Sequence, residues 1–476
     1  METWAIVILV VALLITLLAF EMPVAFALGL SGAVGLAMLQ SFGFATNMLA
    51  SIPFSSTSSF SFTIIPMFIL MGMFAVKARI AEQVYAVANY ACRKIPGGLG
   101  VATVMACAGF AAVSGSSIGT AATMSRLSVT EMKKFGYPES LAAGTVAVAG
   151  TLGILIPPSV MLLLYAIMTG ESVAACLSAG IVPGIVSALA YMLYIMWAAR
   201  RFTRSAARKD SLVDALGAAS ATGTGGSGGR EGAFLNAGTG TAVETMAPAS
   251  PVRLRDLPLR GLVRVSILFL IVLGGIYSGL FTPTESAAIG AVAAGFMLVL
   301  ELRRGGRSNM FAAIKDALKD SASTTSMVFA IVVGSAILSM FFVAARLPET
   351  ITAGVTELGL NPHLTMAVML AMLLPLGMAL ESISILVITV PLLYPVAIEL
   401  GFDGIWLAIL VVKLIEIGMV TPPVGINCFV VSGTSGVKVE TIFRGVMPFV
   451  LVDIVLCAIL FIFPDIILWL PSLVNE

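Results

Sequence analysis

Charge is what this sequence has least of. Of 476 residues, 11% are Asp, Glu, Lys or Arg and 59% are hydrophobic, and mean hydropathy is +1.06. A soluble domain carries roughly a quarter charged residues, and a soluble chain this apolar would expose greasy patches and aggregate. A bilayer removes the difficulty, because apolar side chains can face lipid. The net charge of +1 provides no basic field, so no nucleic-acid partner is expected. The one histidine, His363, leaves no His pair, and there is neither an HExxH nor an aspartate-rich metal motif. An enzyme is therefore not expected. No GxxxxGK(S/T) is present, so direct ATP drive is unsupported. Cys92, Cys107, Cys176, Cys428 and Cys457 lie far apart without a CxxC. They read as small apolar residues, and no cofactor is expected.

What is present is a series of apolar runs. A spanning helix needs roughly 20 mainly apolar residues. Such runs lie at 4–20, 23–40, about 55–76, about 139–169, 175–199, 262–281, 284–302, about 321–345, about 403–430 and 446–470. Stretches 98–134 and 362–399 are also apolar but interrupted at their centres. The N-terminal run lacks a basic n-region and an A-x-A-like site, and reads as a retained first span. Residues 203–258 are Gly/Ser/Thr-rich and cannot bury enough apolar surface to fold, so they read as a flexible cytoplasmic linker. The linker separates an N-terminal membrane repeat, 1–202, from a C-terminal one, 259–476.

The two parts echo one another. LGILIPP at 152–158 answers IGMVTPP at 417–423, an offset of 265. At that offset Gly153 meets Gly418, Thr169 meets Thr434, Gly180 meets Gly445 and Pro183 meets Pro448. Earlier, SSTSS (55–59) answers ASTTS (322–326), and FAVKAR (74–79) answers FFVAAR (341–346). Lys and Arg near span ends mark the cytoplasmic side. Residues 1–76 contain none, whereas clusters follow at Lys77 and Arg79, at Arg126, Lys133 and Lys134, at Arg200 and Arg201, and at Arg303 and Arg304. If the N-terminus is periplasmic and 98–134 and 362–399 are re-entrant hairpins, all basic residues but Arg346 and Lys413 face the cytoplasm. The expected fold is then an all-α polytopic membrane protein with about ten spanning helices. It has two inverted-topology repeats, the first hairpin opening inward and the second outward. Inverted halves with broken elements at the midplane suit alternating access and fit a passive channel poorly.

The breaks carry the chemistry. The first hairpin turns at Ser114, Gly115, Ser116 and Ser117, which supply hydroxyls, freed carbonyls and N–H groups; the same small residues also serve helix packing. The span 139–169 is broken at Pro157, Pro158 and Ser159, where two prolines stop the helix. In the second half the tip is Leu380, Glu381 and Ser382, and the break runs from Thr421 and Pro422 through Gly425 to Asn427. Helix N-termini at such tips favour anions, and loose carbonyls favour small cations. Glu381, mid-hairpin, must be paired, protonated or ion-coordinating. Lys413 and Glu416, three apart on one helix, are placed to pair. Glu285, near a predicted outer end, is open to a functional reading and equally to that of a simple helix-start acid; His363 reads as a surface residue. The two breaks together suggest two cation sites flanking one anion site.

Five segments carry a family resemblance: VSGSSIGTAAT (113–123), GYPESLAAG (136–144), TLGILIPPS (151–159), LESISILVITVPLLYPVA (380–397) and EIGMVTPPVGIN (416–427). Together they resemble the large membrane subunit, DctM type, of tripartite ATP-independent periplasmic (TRAP) transporters. The resemblance covers nearly the whole chain except the linker, which is longer than expected. It implies an elevator transporter of the bacterial inner membrane, driven by Na⁺ as coupling ion and importing a carboxylate or dicarboxylate. Its implied partners are a small four-helix membrane subunit (DctQ type) and a periplasmic substrate-binding protein (DctP type). It implies Na⁺ sites at Ser114, Gly115, Ser116 and Ser117 with Gly153 and Pro157, and at Glu381 and Ser382 with Thr421, Pro422 and Gly425. Ser116, Ser117, Pro158, Ser382 and Asn427 are the corresponding candidates for substrate. The alternative is a stand-alone Na⁺-coupled dicarboxylate or anion symporter with the same tips and no partners.

Overall fold

Backbone amides in hydrocarbon can bond only to one another, so a chain this apolar must be helical or a closed barrel. The computed structural model describes residues 3–221, 259–303, 307–357 and 361–474, and it is all-helical, with no strand among them. Seven described helices are long and apolar enough to cross a membrane, from Phe60–Lys77 to Val439–Ile462. Others, such as Thr3–Ala19 and Val24–Leu39, are apolar but shorter.

The outer elements form a frame. Val24–Leu39 packs along Arg307–Ala344, and Ile64–Lys77 packs along Pro283–Leu302. Small residues permit this approach: a Cβ on Gly32 would sit 2.7 Å from the Leu338 backbone. Pro283–Leu302 starts with a capping box, in which Thr282 and Glu285 satisfy each other's backbone N–H groups. Glu285 thus serves as a helix-start acid, one of the two readings its sequence position allows.

Inside the frame lie two interrupted hairpins and two broken helices, in the same order in each half. The first hairpin has arms Gly98–Ser114 and Ser117–Met124, and the helix Glu139–Thr151 ends at the double proline before Val160–Thr169. In the second half the hairpin arms end at Ala379 and restart at Ser382, running to Glu399; Gly404–Gly418 is followed, after its own double proline, by Ile426–Ser435. Pro157–Pro158 and Pro422–Pro423 are both cis. The halves interlock crosswise. Return arm Ser117–Met124 packs on Ile426–Ser435, and return arm Ser382–Glu399 packs on Val160–Thr169. Val439–Ile462 packs on Glu139–Thr151, as Val173–Ala221 does on Gly404–Gly418.

Several boundaries differ from the hydropathy reading. The last apolar run, read as one span over 446–470, is two helices, Val439–Ile462 and Asp465–Val474, because Pro464 lacks the N–H to continue the first. The run read as about 321–345 starts at Arg307. Phe42–Ser55, Ile80–Cys92 and Leu347–Glu357 are helices where no span was expected. Ile80–Cys92 buries Ile80, Val84, Tyr85, Ala88 and Cys92 along one stripe, too short and polar to register as a span. Residues 203–221 of the expected linker continue the helix from Val173, and 222–258 lie outside the described residues. His363 is exposed, with its ring edge-on to Phe402.

Lys413, which fitted neither side of the charge pattern, is fully buried. Its Nζ lies 2.9 Å from Glu416 Oε2, the expected pairing, and 2.7 Å from Asp453 Oδ1. The Asp453 contact joins Gly404–Gly418 to Val439–Ile462. The crossing of Val439–Ile462 over Glu139–Thr151 is close enough that a Cβ on Gly445 would enter the Ser140 carbonyl. Gly445→Val is therefore expected to cost at least the ~1–3 kcal/mol of ordinary overpacking and to lower the melting temperature in detergent. Gly433→Ala, with nothing within 4 Å of its Cβ, should melt like the wild type; equal melting of both variants would contradict the crossing.

Candidate functional site

Each hairpin tip is held open by its own side chains. At the first, Gly115 turns with φ +60°, a conformation that suits glycine. Ser116 caps the return arm by accepting from Gly119 N at 3.2 Å. Thr120 donates to the Ser116 carbonyl at 2.7 Å and shares a hydrogen bond with the Ser114 hydroxyl at 2.9 Å. At the second tip Glu381 is the cap. Its carboxylate accepts from Ser384 N at 3.4 Å and from the Ser382 hydroxyl at 3.2 Å. The first return arm thus presents an N-terminus capped by a neutral hydroxyl, and the second one capped by a carboxylate. The dipole of the first return arm favours negative charge at its N-terminus, and at the second that charge is already supplied by Glu381.

The breaks close on the tips through glycines. A Cβ on Gly153 would lie 2.8 Å from the Ser116 carbonyl, and one on Gly115 3.2 Å from the Pro158 carbonyl. In the second half a Cβ on Gly418 would lie 2.5 Å from Gly377, in the outgoing arm. Ser159 caps Val160–Thr169, accepting from Leu162 N at 3.3 Å and donating to the Ile154 carbonyl. Thr421 donates to the Ile417 carbonyl at 2.6 Å. Gly425, at φ +56°, starts Ile426–Ser435. Ser117 links the halves, its hydroxyl directed at Met419 Sδ at 4.0 Å.

One cavity of about 580 Å³ gathers both tips. Ser114, Gly115, Ser116 and Ser117 line it from one side and Glu381 and Ser382 from the other. Its walls are two helical faces at i, i+3, i+4, i+7 spacing. Gly119, Ala122, Thr123 and Arg126 come from the hairpin, and Ile69, Gly72, Met73 and Val76 from the frame. The cavity therefore sits between the hairpin body and the frame. Thr421, Pro422, Gly425 and Asn427 do not line it, and Gly153 and Pro158 stand behind the first tip. Pro157 faces a separate, mostly apolar cavity beside Ile156 and Ile181. Asn427 is fully buried, and neither of its amide atoms has a hydrogen-bond partner among the described residues.

Arg126 is the residue the sequence reading did not place here. Its sequence position marks it only as a basic residue near a span end, yet it is the cation in the cavity wall. It is exposed, and no ion pair to it occurs among the described residues. The signal was available in its spacing: seven positions after Gly119, it falls on the face that carries the tip.

The family description "Tripartite ATP-independent periplasmic transporter, DctM component" matches residues 11–466. The C4-dicarboxylate TRAP transporter large permease protein DctM of Pseudomonas aeruginosa is 34% identical over 94% of this chain and 93% of its own length. The sialic acid TRAP transporter large permease protein SiaM of Vibrio cholerae is 27% identical over 95% of each chain. Among solved structures, the YdaH transporter of Alcanivorax borkumensis superposes with a TM-score of 0.60 at 14% identity, covering 88% of this chain and 89% of its own, a likeness of fold alone. These relatives are named as transporters and not as enzymes.

Loss of the Ser116 cap is expected to weaken the return arm by ~1 kcal/mol in Ser116→Ala and by only a few tenths in Ser116→Gly. Hydrogen exchange of the amides at 117–120 checks this: faster exchange in the alanine variant than in the glycine variant is predicted, and the reverse order would remove the cap from the account.

Proposed function

The chain belongs to the DctM component family of tripartite ATP-independent periplasmic transporters, and from that premise we propose that it is the large permease of a Na⁺-coupled importer for a small organic anion of the carboxylate class. The observation that carries the reading is the single cavity on which both hairpin tips and Arg126 converge. Arg126 supplies the fixed positive charge that a carboxylate needs, and a guanidinium binds carboxylates through paired N–H donors. The N-terminus of the first return arm adds to the same positive end. Ser116, Ser117 and Ser382 offer hydroxyls to the rest of the substrate.

Cations belong at the same breaks. Around the first tip the carbonyls of Ser114 and Pro158 crowd against Gly72 and Gly115, a set of hard oxygens suited to Na⁺. The Glu381 carboxylate serves the second tip, with the Thr421–Gly425 break behind it. Halves of inverted topology would place the two breaks symmetrically about the midplane, and movement of the hairpin body against the frame would expose the cavity alternately to each side. With the basic clusters cytoplasmic and the N-terminus periplasmic, Arg126 lies toward the cytoplasmic end, so the cavity opens inward. The chain works in the bacterial inner membrane with a DctQ-type small subunit and a DctP-type binding protein.

Removing a charged hydrogen-bond partner costs ~1.5–3 kcal/mol, so Arg126→Gln should raise the apparent KM for a carboxylate by about 10- to 150-fold. Uptake into proteoliposomes containing the three proteins checks this; an unchanged KM would remove Arg126 from the site. In the same assay Ser116→Ala and Thr421→Ala should each weaken the Na⁺ dependence of uptake. If both leave it unchanged, the cation sites lie elsewhere. Uptake by this chain alone would replace the tripartite reading with a stand-alone symporter.

A further inference from the structure

Away from the cavity lies a second polar centre, built on Lys413. Its ammonium contacts Asp453 Oδ1 at 2.7 Å, Glu416 Oε2 at 2.9 Å and the Tyr191 hydroxyl at 3.2 Å. Tyr191 donates to Asp453, 2.7 Å from each carboxylate oxygen. Lys413, Glu416 and Tyr191 are fully buried and Asp453 is 1% exposed. The cluster joins Gly404–Gly418, Val439–Ile462 and the helix that begins at Val173. The other groups facing it are Cys457, from Val439–Ile462, and Thr151, from the first broken helix. Thr151 already donates to the Val148 carbonyl at 2.7 Å. No other Lys, Arg or His forms an ion pair with Glu416 or Asp453 among the described residues.

The charges do not balance. Two carboxylates face one ammonium, leaving one surplus negative charge where solvent does not reach. A buried uncompensated charge is costly, and within a membrane it is costlier still. The two acids are not equivalent. Asp453 accepts from both Tyr191 and Lys413. Glu416 receives Lys413 on Oε2 alone, and its Oε1 has no hydrogen-bond partner among the described residues. We propose that the cluster is a proton-binding site that carries one resident proton on Glu416 Oε1, leaving Asp453 ionised and the whole cluster neutral. The neutral cluster ties three helices together without an unpaired charge. It is a site separate from the hairpin tips and independent of the carboxylate and Na⁺ assignments.

Glutamine mimics a neutral glutamic acid, so Glu416→Gln separates the alternatives. The purified full-length chain is compared with this variant and with Asp453→Asn by infrared spectroscopy at neutral pH. The wild type should show the carbonyl stretch of a protonated carboxylic acid that Glu416→Gln lacks. Asp453→Asn should lack it as well, because removing one acid leaves Lys413 and Glu416 as a balanced pair and Glu416 ionises. Glu416→Gln should also melt within a few degrees of the wild type, while Lys413→Met, which strands both acids, should be strongly destabilised. A band that persists in Glu416→Gln would overturn the assignment, as would a band absent from the wild type. Collapse of Glu416→Gln to the level of Lys413→Met would mean that Glu416 must be charged, and would overturn it equally.

Discussion

A peptide bond that leaves a helix within a bilayer has no water to turn to, and the architecture follows from that constraint. Among the described residues, two hairpin tips and two double-proline breaks interrupt apolar helical runs at the centre of the fold. Each frees N–H or carbonyl groups that must be satisfied by protein or by a wet cavity. The structure meets the requirement by stacking the interruptions, so that Gly153 lies on the Ser116 carbonyl and Gly115 on that of Pro158. The arms then interlock crosswise between the halves, and the polar backbone ends up enclosed. The cavity is what remains where the enclosed tips meet the frame, and its polarity derives from that demand.

The two tips are not equivalent. The first ends in serines beneath an arm that carries Arg126, the second in the carboxylate of Glu381. One cavity therefore contains a cation, Arg126, and two carboxylates, Glu82 and Glu381. An anion whose entry is linked to a cation would find opposite charge for both, which is the electrostatic basis for the coupled transport proposed here. Lys413, by contrast, takes no part in the cavity and is consumed in holding helices together.

Much of this was legible in the sequence because the features are punctuation. The paired prolines Pro157–Pro158 and Pro422–Pro423 end their helices where single prolines such as Pro183 and Pro448 do not, and Ser114 to Ser117 interrupt an apolar run that otherwise would not stop. Glu285 and the Lys413–Glu416 pair were legible because they depend on neighbours three residues away. What was not legible depends on distant neighbours. Asp453 and Tyr191 reach Lys413 only through helix packing, and Arg126 lines the cavity only because its arm faces Ile69–Val76 across it. Hydropathy also misplaced the last helix, since it sees an apolar stretch and not the missing N–H of Pro464. Asn427, in a motif that suggests a ligand, is fully buried and does not line this cavity, and both its amide atoms lack a hydrogen-bond partner among the described residues.

In the proposed transport cycle, substrate is held in the cavity between the hairpin body and the frame. Thr123→Cys tests it most directly, since Thr123 lines the wall one turn before Arg126 and the five native cysteines are all buried. The variant would be assembled with its small subunit and binding protein and treated with a membrane-impermeant thiol reagent in the presence and absence of a transported carboxylate. The account predicts labelling from the cytoplasmic face that substrate suppresses. Labelling that a saturating, transported substrate leaves unchanged would contradict it.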